Sequence, residues 1–245
     1  NLQNVPKTEM RKLFVAEEGK KIARVDFIQI ELCVFAVIAQ EPEMLRAFAE
    51  GKNIHTETCI ALGWNPADPS PFNLGKTRYD DAKTINFLML YGGSAWKISQ
   101  EFHIPIDEAT ICIKRYMTKY VGIQRYFDET IDKVGTERKV VNYFGRTRRI
   151  DALYAEDWRV KKQGEREAIN TPIQGTAAEI VKLAMIDLHE RHHAPLILQV
   201  HDELLLEVDA KTAKNYGLWL KEYIPTITMI DGMKFEVEVG IGDTW

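Results

Sequence analysis

The chain has 245 residues, of which 45% are apolar and 28% are charged. This composition is typical of a globular protein with a sizeable core, and it excludes both wholesale disorder and a collagen-like repeat. No apolar run approaches the roughly 18 residues of a membrane span, and no secretory signal is visible at the start. The three cysteines lack the spacing of a metal site, so we expect reduced thiols in a reducing compartment.

Charge is distributed unevenly along the chain. The net charge is −4, which taken alone argues weakly against a polyanionic partner. Residues 138–166, however, carry nine basic and four acidic side chains, a local net charge of +5. A basic stripe on an acidic body can bind phosphate backbones, and an ordinary solvated surface is the alternative interpretation.

The first part of the chain is predicted to begin with β structure and to continue with helices. Apolar patterning indicates two β segments within residues 11–28. Helical spacing of apolar residues follows from 29 to 50 and ends at Gly51, and a short helix is predicted over 55–62. Residues 63–76 contain five glycines and prolines, which predict a loop.

Helices fill the middle of the chain. Four of them are predicted, over residues 79–90, 94–102, 107–120 and 123–136. A β-hairpin is predicted to follow over residues 140–152, where apolar residues lead into a glycine.

The segment 170–174 has the signature of a helix start. Thr171 can cap the helix, Pro172 suits the first helical position, and Gln174 completes a capping box. The apolar stripe that follows predicts a helix from this start to about Arg191.

Three further elements are predicted near the end of the chain: a hairpin over 196–208, a helix over 211–223 and a strand over 234–240. Strands therefore lie near both ends of the chain, and helices lie between them. This order indicates an α+β fold, in which a sheet carries an inserted helical subdomain.

Two aspartates stand at the ends of apolar β segments. Asp26 lies at the end of the apolar stretch 22–27, and Asp202 lies at the polar break of the 196–208 hairpin. A carboxylate in such a position faces water as a turn residue, or it is paired or binds a cation. Two carboxylates at strand ends of one sheet match the geometry of a two-metal phosphoryl-transfer site.

Lys83, Phe87 and Tyr91 recur at a spacing of four on the predicted helix 79–90, so they share one face. An ordinary helix surface with one core aromatic explains this pattern. A nucleotide platform explains it as well, with Lys83 on phosphates and Phe87 against sugar or base. Spacing alone leaves both interpretations open.

Several segments, in order along the whole chain, resemble those of the family A DNA polymerases, the bacterial DNA polymerase I type. Residues 26–32 (DFIQIEL) resemble motif A, residues 83–92 (KTINFLMLYG) motif B, and residues 199–203 (QVHDE) motif C. Further similar segments are 1–6, 54–58, 144–146, 171–178 and 237–242. Each motif is moderately specific, and the ordered set is very hard to reach by chance.

The resemblance implies an antiparallel palm sheet with an inserted helical fingers subdomain. Palm would comprise residues 1–62 and 153–245, and fingers residues 63–152. The implied function is that of a DNA-templated DNA polymerase core, which transfers a nucleotide from a dNTP to a primer 3′-OH and releases pyrophosphate. No thumb or proofreading exonuclease domain is expected within these residues, so we expect low processivity and weak DNA affinity.

The resemblance also assigns the catalytic groups. Asp26 and Asp202 would hold two Mg²⁺ ions, and the backbone carbonyl of Phe27 would complete the metal coordination. Lys83 would bind the incoming triphosphate and assist protonation of the pyrophosphate.

A further set of residues is implied to bind the incoming nucleotide. These residues are Gln29, Glu31, His55, Arg78, Lys83, Phe87 and Tyr91. His55 would approach the outer phosphates, and Phe87 would pack on the sugar. Glu31, hydrogen-bonded to Tyr91, would crowd the sugar 2′ position and exclude ribonucleotides. Tyr91 would also cover the position of the templating base.

The primer–template is implied to have its own contacts. The implied DNA-binding residues are Arg146, Arg166, Asn170, Gln174, His201 and Glu203. Arg146 belongs to the basic segment 138–166 and would lie by template phosphates. The two roles predicted for Gln174, in a capping box and in a DNA contact, are incompatible. A capping side chain turns back to the helix start, whereas a side chain that contacts DNA points away from it.

Three positions depart from the family pattern. Ile28 stands where the family usually has Ser, and Cys33 and Tyr79 stand where it has Arg. Arg78, one position earlier than the usual Arg, reaches a γ-phosphate only if the helix begins differently. Loss of a bidentate phosphate contact would weaken nucleotide binding by on the order of 1–3 kcal/mol.

Primer–template DNA and dNTPs are the implied partners, together with a separate thumb, exonuclease or processivity subunit. No membrane partner is expected, and the implied location is the cytoplasm of a bacterial or phage-infected cell.

Two other functions stay open. A catalytically weak DNA-binding or assembly subunit would keep the fold, and Cys33, Tyr79 and the missing thumb favour it. The combination of Asp26, Asp202, Lys83 and Tyr91 argues against it, because a pure binding protein does not need these residue types together. A metal-dependent nuclease would also use paired carboxylates, but it leaves the face of Lys83, Phe87 and Tyr91 unexplained.

Overall fold

The fold is described by a computed structural model over residue 5 and residues 9–245. The segment 1–6 that resembles the polymerase family therefore lies, apart from residue 5, outside the described residues. In this part of the chain, no helix combines the length and the apolar character needed to cross a membrane.

The secondary structure begins with one strand and continues with a long run of helices. In the described residues the strands are β1 (Lys20–Phe27), β2 (Lys139–Val141), β3 (Thr147–Arg149), β4 (Leu196–Val200), β5 (Glu203–Asp209), β6 (Met229–Ile230), β7 (Met233–Lys234) and β8 (Val237–Gly242). The α-helices are α1 (Ile30–Ile38), α2 (Pro42–Ala49), α3 (Ile54–Ala61), α4 (Arg78–Leu90), α5 (Ala95–Phe102), α6 (Ile106–Lys119), α7 (Val121–Glu137), α8 (Trp158–His192) and α9 (Ala213–Ile227).

The chain divides into two units. One comprises the first 30 residues and residues 177–245, and the other comprises residues 31–176. The sheet of β1, β4, β5 and β8 belongs to the first unit, and helices α2 to α7 belong to the second. The palm and fingers limits at 62/63 and 152/153 stay a prediction, and the two units change over at other positions.

The first unit is built on a four-stranded antiparallel sheet with the order β4-β5-β1-β8. Strand β1, from the beginning of the chain, thus lies between β5 and β8, which come from the last part of the chain. The predicted α+β class with an antiparallel sheet is confirmed. The apolar residues of β1 favour this central placement, because Ile22, Ala23, Val25 and Phe27 are all buried there.

Both faces of this sheet are covered within the first unit. On one face Ile22 and Leu205 pack with Trp245, and the ring of Phe14 meets Trp245 edge-on at 5.3 Å between centroids. On the other face α9 approaches β8 closely, because Gly217 has no side chain. A Cβ at this position would lie 3.2 Å from the side chain of Ile241.

The predicted single helix over residues 29–50 is wrong. The structure has two helices, α1 and α2, and Gln40 between them adopts a left-handed φ of 47°. Glu41 then begins α2, because its buried carboxylate accepts hydrogen bonds from the amides of Glu43 at 2.9 Å and Gly122 at 2.5 Å. Burial raises the pKa of this carboxyl. The first amides of a helix have no hydrogen-bond partner within that helix, and a capping carboxylate supplies one. In a continuous helix these amides would already be paired.

The predicted helix start at Thr171 is also wrong. Helix α8 begins at Trp158 and continues through Pro172. A proline inside a helix removes one amide donor and crowds the carbonyl four residues before it, yet α8 continues for twenty residues beyond Pro172. The hydroxyl of Thr176 donates to the carbonyl of Pro172 at 2.7 Å. Gln174 is therefore an exposed mid-helix residue, which rules out its predicted capping role.

The two β segments predicted within residues 11–28 are confirmed only in part. Strand β1 forms as expected, but residues 11–13 form a single 3-10 turn. Val15 makes only an isolated bridge to Thr244.

Helix α7 offers a matched test of close packing in the second unit. A Cβ at Gly122 would lie 2.9 Å from a carboxylate oxygen of Glu41 and 3.0 Å from the carbonyl oxygen of Ala39, whereas nothing lies within 4 Å of a Cβ at Gly135. We therefore expect Gly122→Ala to lower the free energy of unfolding by about 2 kcal/mol. Gly135→Ala, in the same helix, should raise it by up to about 1 kcal/mol. Denaturant unfolding measures both, and equal shifts of the two variants would contradict this account.

Candidate active site and nucleic-acid interface

Asp26 lies on β1 of the first unit, and Asp202 lies in the turn that leads into the neighbouring strand β5. Strand β1 pairs with β5 so that Asp26 stands opposite Glu203, and the amide of Phe27 donates to the carbonyl of Asp202 at 3.2 Å. Both aspartates are half-buried. The two carboxylates, 176 positions apart in sequence, are thus brought to the same end of the sheet by main-chain pairing.

The backbone beside these carboxylates is unusual. His201 and Asp202 form the two-residue turn between β4 and β5, and His201 has a φ of 55°. Gln29, two residues after β1, has a φ of 51°. Left-handed conformations of residues other than glycine are disfavoured, and they concentrate at functional sites. The side chain of Gln199 donates to the carbonyl of His201 at 2.5 Å, which ties this turn to its strand.

Glu203 is engaged inside the first unit. It is 3% exposed, and one carboxylate oxygen accepts from Arg11 at 2.8 Å. The other accepts from the indole of Trp245 at 3.0 Å and lies 3.5 Å from Arg24. The guanidinium of Arg11 also stacks over the Trp245 ring at 4.0 Å. A buried carboxylate held in this way is not available to DNA, so this placement does not support the predicted DNA contact of Glu203.

The groups at the end of the sheet are chemically suited to magnesium. They are the carboxylates of Asp26 and Asp202 and the carbonyl oxygen of Phe27, the residue that follows Asp26. All of them are hard oxygen ligands. Magnesium in proteins is bound by one or two carboxylates and otherwise by water and substrate phosphates. Among the described residues, no cluster of three or more His, Cys, Asp or Glu side chains could hold a metal ion.

In the second unit, α4 presents the predicted face. Lys83 is exposed, Phe87 is half-buried, and Tyr91 at the end of the helix is 37% exposed. The hydroxyl of Tyr91 donates to Glu31 at 2.6 Å, so the predicted hydrogen bond between these two residues is confirmed. Thr77 and Asp80 form a capping box that fixes the start of α4.

His55 lies beneath this face in a buried polar chain. The ring is 1% exposed, and its Nδ1 atom lies 3.0 Å from the Asn86 amide nitrogen. The Thr58 hydroxyl lies 3.0 Å from Asn86 Oδ1 and 2.8 Å from the hydroxyl of Tyr120. Burial, with a smaller contribution from the positive charge of Lys83, lowers the pKa of His55 to about 4. The ring is therefore neutral at pH 7, and its burial does not support the predicted contact with phosphates.

The depressed pKa of His55 predicts a pH dependence of stability. As pH falls below about 6.5 the unfolded ring takes up a proton, whereas the folded ring stays neutral until about pH 4. The free energy of unfolding should therefore decrease over this window, by about 3 kcal/mol from this residue. His55→Gln should flatten the dependence, and His189→Gln, at an exposed position of α8, should leave it unchanged. Parallel curves for all three proteins in denaturant unfolding between pH 7 and 4 would refute the assignment.

Arg78 and Tyr79 occupy separate surroundings at the start of α4. The Arg78 guanidinium lies over the rings of Trp64 at 4.4 Å and Phe72 at 4.8 Å, and 3.4 Å from the buried carboxylate of Asp81. Arg78 thus anchors the loop before α4, and its enclosure does not support the predicted contact with a nucleotide. Tyr79, where the family pattern has Arg, packs edge-on against His55 at 5.7 Å between ring centroids.

The predicted DNA contacts in the second unit form a row. Arg166, Asn170 and Gln174 stand at a spacing of four on α8, so they share one face of the helix, and both ends of the row are exposed. Arg146 is exposed in the turn of the β2–β3 hairpin. His201 belongs to the first unit, in the turn beside Asp202.

Sequence reasoning missed the residues that support the site from within. Arg11 and Trp245 hold Glu203, and Thr58, Asn86 and Tyr120 surround His55. Asn86 carried a usable signal, because it lies in the buried stripe of α4. That stripe contains Ala82, Ile85, Asn86, Met89 and Leu90. No sequence signal pointed to Arg11, because it is distant in sequence from Glu203 and Trp245, the residues that it contacts.

Comparisons with known proteins agree with this geometry. The family model described as DNA polymerase family A matches residues 1–245. The thermostable DNA polymerases I of Thermus filiformis and Thermus aquaticus are 40% and 38% identical to the whole chain. The chain spans only 30% of the length of either relative.

A solved structure gives the same result. It is described as the POL domain of Pol1 from M. smegmatis in complex with a DNA primer-template and dNTP. It covers the whole chain with a TM-score of 0.88 and 29% identity, and the match takes up 44% of that structure's chain. Since the family model extends over every residue, this chain belongs to DNA polymerase family A.

Proposed function

We propose that the chain is the catalytic core of a DNA-templated DNA polymerase, which joins a dNTP to a primer 3′-OH with release of pyrophosphate. The observation that supports this proposal is the pairing of β1 with β5, because it brings Asp26 and the turn that holds Asp202 to the same end of the sheet. The family relationship supports the same activity, because the longer relatives from Thermus are DNA polymerases I. Catalysis of this type depends on positioning and electrostatics rather than on covalent participation of the protein.

Asp26, Asp202 and the carbonyl of Phe27 are the residues that would hold two Mg²⁺ ions. When bound, the ions supply charge that lowers the pKa of the primer hydroxyl and neutralises the oxygens of the leaving group. The protein's own contribution is to fix the two carboxylates at one end of a rigid sheet, with Glu203 held by Arg11 and Trp245 immediately behind.

The face of α4 is proposed to bind the nucleotide. Lys83 carries an exposed ammonium group that can bind phosphates and donate a proton to the departing pyrophosphate. Phe87 offers a ring for the sugar, one turn further along the helix. Glu31, fixed by its 2.6 Å hydrogen bond from Tyr91, is proposed to exclude a ribose 2′-OH from this position. Gln29, with its left-handed backbone, completes the proposed nucleotide set.

Primer–template DNA is proposed to lie along Arg146, Arg166, Asn170, Gln174 and His201. Arg146 and Arg166 supply positive charge, and Asn170 and Gln174 supply amides that can bond either to bases or to the backbone. We further propose a cytoplasmic location, with a thumb, exonuclease or processivity component as a partner that grips the duplex or proofreads.

Primer extension tests the proposed function. The wild-type chain is incubated with a primed template, Mg²⁺ and one dNTP at a time, with a chelator as the control. Template-directed addition that disappears in Asp202→Ala supports the proposal. Shortening of the primer would instead indicate a metal-dependent nuclease. DNA binding without extension would indicate the catalytically weak binding or assembly subunit, the candidate that Tyr79 favours.

A further inference from the structure

The tip of the β2–β3 hairpin exposes two aromatic rings. Tyr143 is 43% and Phe144 is 40% exposed, and their centroids lie 5.3 Å apart with an angle of 80° between the ring planes. Edge-on packing of this kind covers one ring with the edge of the other, so part of each ring surface stays open to solvent. Two adjacent exposed aromatics at a loop tip are poor contributors to the core, because neither ring is enclosed.

The tip is held rigidly in spite of its exposure. Asn142 Oδ1 accepts from the amides of Phe144 at 3.1 Å and Arg146 at 2.8 Å, and Gly145 provides the required left-handed φ of 88°. The amide of Tyr143 donates to the hydroxyl of Thr176 on α8 at 3.1 Å. The backbone that carries the two rings is therefore held beside the helix that carries the row Arg166, Asn170 and Gln174.

Every charged side chain within the hairpin segment is basic. Residues 138–150 contain five basic and no acidic side chains. Two of these are fixed by neighbours outside the segment: Arg148 donates to Thr171 at 3.2 Å and to Glu167 at 3.3 Å, and Arg149 pairs with Asp151 at 3.0 Å. A ribbon of arginines that carries exposed rings combines the two elements of a single-strand site, a positive track for the backbone and a stacking platform for bases.

We propose that Tyr143 and Phe144 stack on unpaired bases of the template strand ahead of the primer terminus. This proposal rests on the proposed function and adds a base-stacking site to it. The template is the occupant we favour, because it is the one strand with unpaired bases beside a primer terminus in the proposed reaction. The backbone amide of Tyr143 also joins this tip, through Thr176, to the helix proposed to bind the primer–template. Stacking of this type tolerates any base, as a template-reading enzyme requires.

The test compares DNA affinities of the whole chain by fluorescence anisotropy. The substrates are a primer–template with a 5′ template overhang of about ten nucleotides, the same duplex with blunt ends, and a duplex with a displaced 5′ flap. Tyr143→Leu with Phe144→Leu keeps apolar side chains but removes both rings. We expect it to weaken binding of the overhang substrate about tenfold or more, and binding of the blunt duplex by less than about twofold.

A swapped variant, Tyr143→Phe with Phe144→Tyr, is the matched control and should bind the overhang as the wild type does. The single variant Tyr143→Leu repeats the comparison if the double variant has a lower thermal unfolding midpoint. Equal weakening of overhang and blunt binding, no weakening of either, or weakening confined to the flap substrate would each overturn the proposal. Failure of the wild type to extend a primer would contradict the proposed function and would leave the overhang comparison measurable.

Discussion

Asp202→Asn is expected to lower the rate of primer extension by about a thousandfold or more while the protein stays folded. The substitution keeps the shape of the side chain and removes the negative charge on which the proposed metal coordination depends. Asp202 is half-buried in a two-residue turn, so the loss of its charge creates no cavity in the core. Single-turnover extension, with circular dichroism on the same sample, measures both parts of this result.

Asp26→Asn should be equally damaging, and the double variant should be scarcely worse than either single one, because groups that act as a unit have non-additive effects. Asp209→Asn is the matched control. It changes a carboxylate at the opposite end of the same strand, and an asparagine there can still accept from the amide of Lys211 as the carboxylate does at 2.8 Å. Comparable losses at Asp209 and Asp202, or full activity in Asp26→Asn, would show that the site lies elsewhere.

The second large effect is expected on stability, at the ion pair behind the carboxylates. Arg11→Met should lower the free energy of unfolding by about 3–5 kcal/mol, because it leaves the buried carboxylate of Glu203 without its main partner. Trp245 and Arg24 still contact that carboxylate, which favours the lower end of the range. Urea unfolding monitored by the fluorescence of Trp245 and the other tryptophans measures the change.

The neighbouring residue supplies the control. Lys12 pairs with Glu9 at 2.8 Å, the same distance that separates Arg11 from Glu203, but both of these side chains are largely exposed. Lys12→Met should therefore cost less than about 1 kcal/mol. Combining Arg11→Met with Glu203→Leu should recover much of the lost stability, since no charge is then left buried. Equal costs for Arg11→Met and Lys12→Met would mean that burial is not the deciding factor.

The elements that the sequence predicted correctly are those whose apolar pattern is local. Strand β1, the hairpin of β4 and β5 and the helix α4 each contain closely spaced apolar residues, and Asp26 and Asp202 stand where such a stretch ends or breaks. The start of α8 was missed because Thr171, Pro172 and Gln174 imitate a helix start. Local propensity could not reveal that residues 158–170 already form a helix that passes through the proline.

The surroundings of individual site residues were less predictable than the site itself. His55, Arg78 and Glu203 were each expected to contact a ligand, because a motif gives the type of a residue and not its exposure. Their burial depends on residues distant in the chain, such as Asn86 for His55 and Arg11 for Glu203. The hydrogen bond between Glu31 and Tyr91 was predictable, since the resemblance identified both partners.

The buried polar chain that joins Tyr120, Thr58, Asn86 and His55 has an evolutionary consequence. Each member satisfies the next, so any single replacement by an apolar residue strands a donor or acceptor away from water. Single substitutions at these four positions are therefore expected to be destabilising, whereas simultaneous replacement of hydrogen-bonded partners is tolerated better. Strong epistasis in a pairwise mutational scan, confined to these positions, is the trace that such a history leaves.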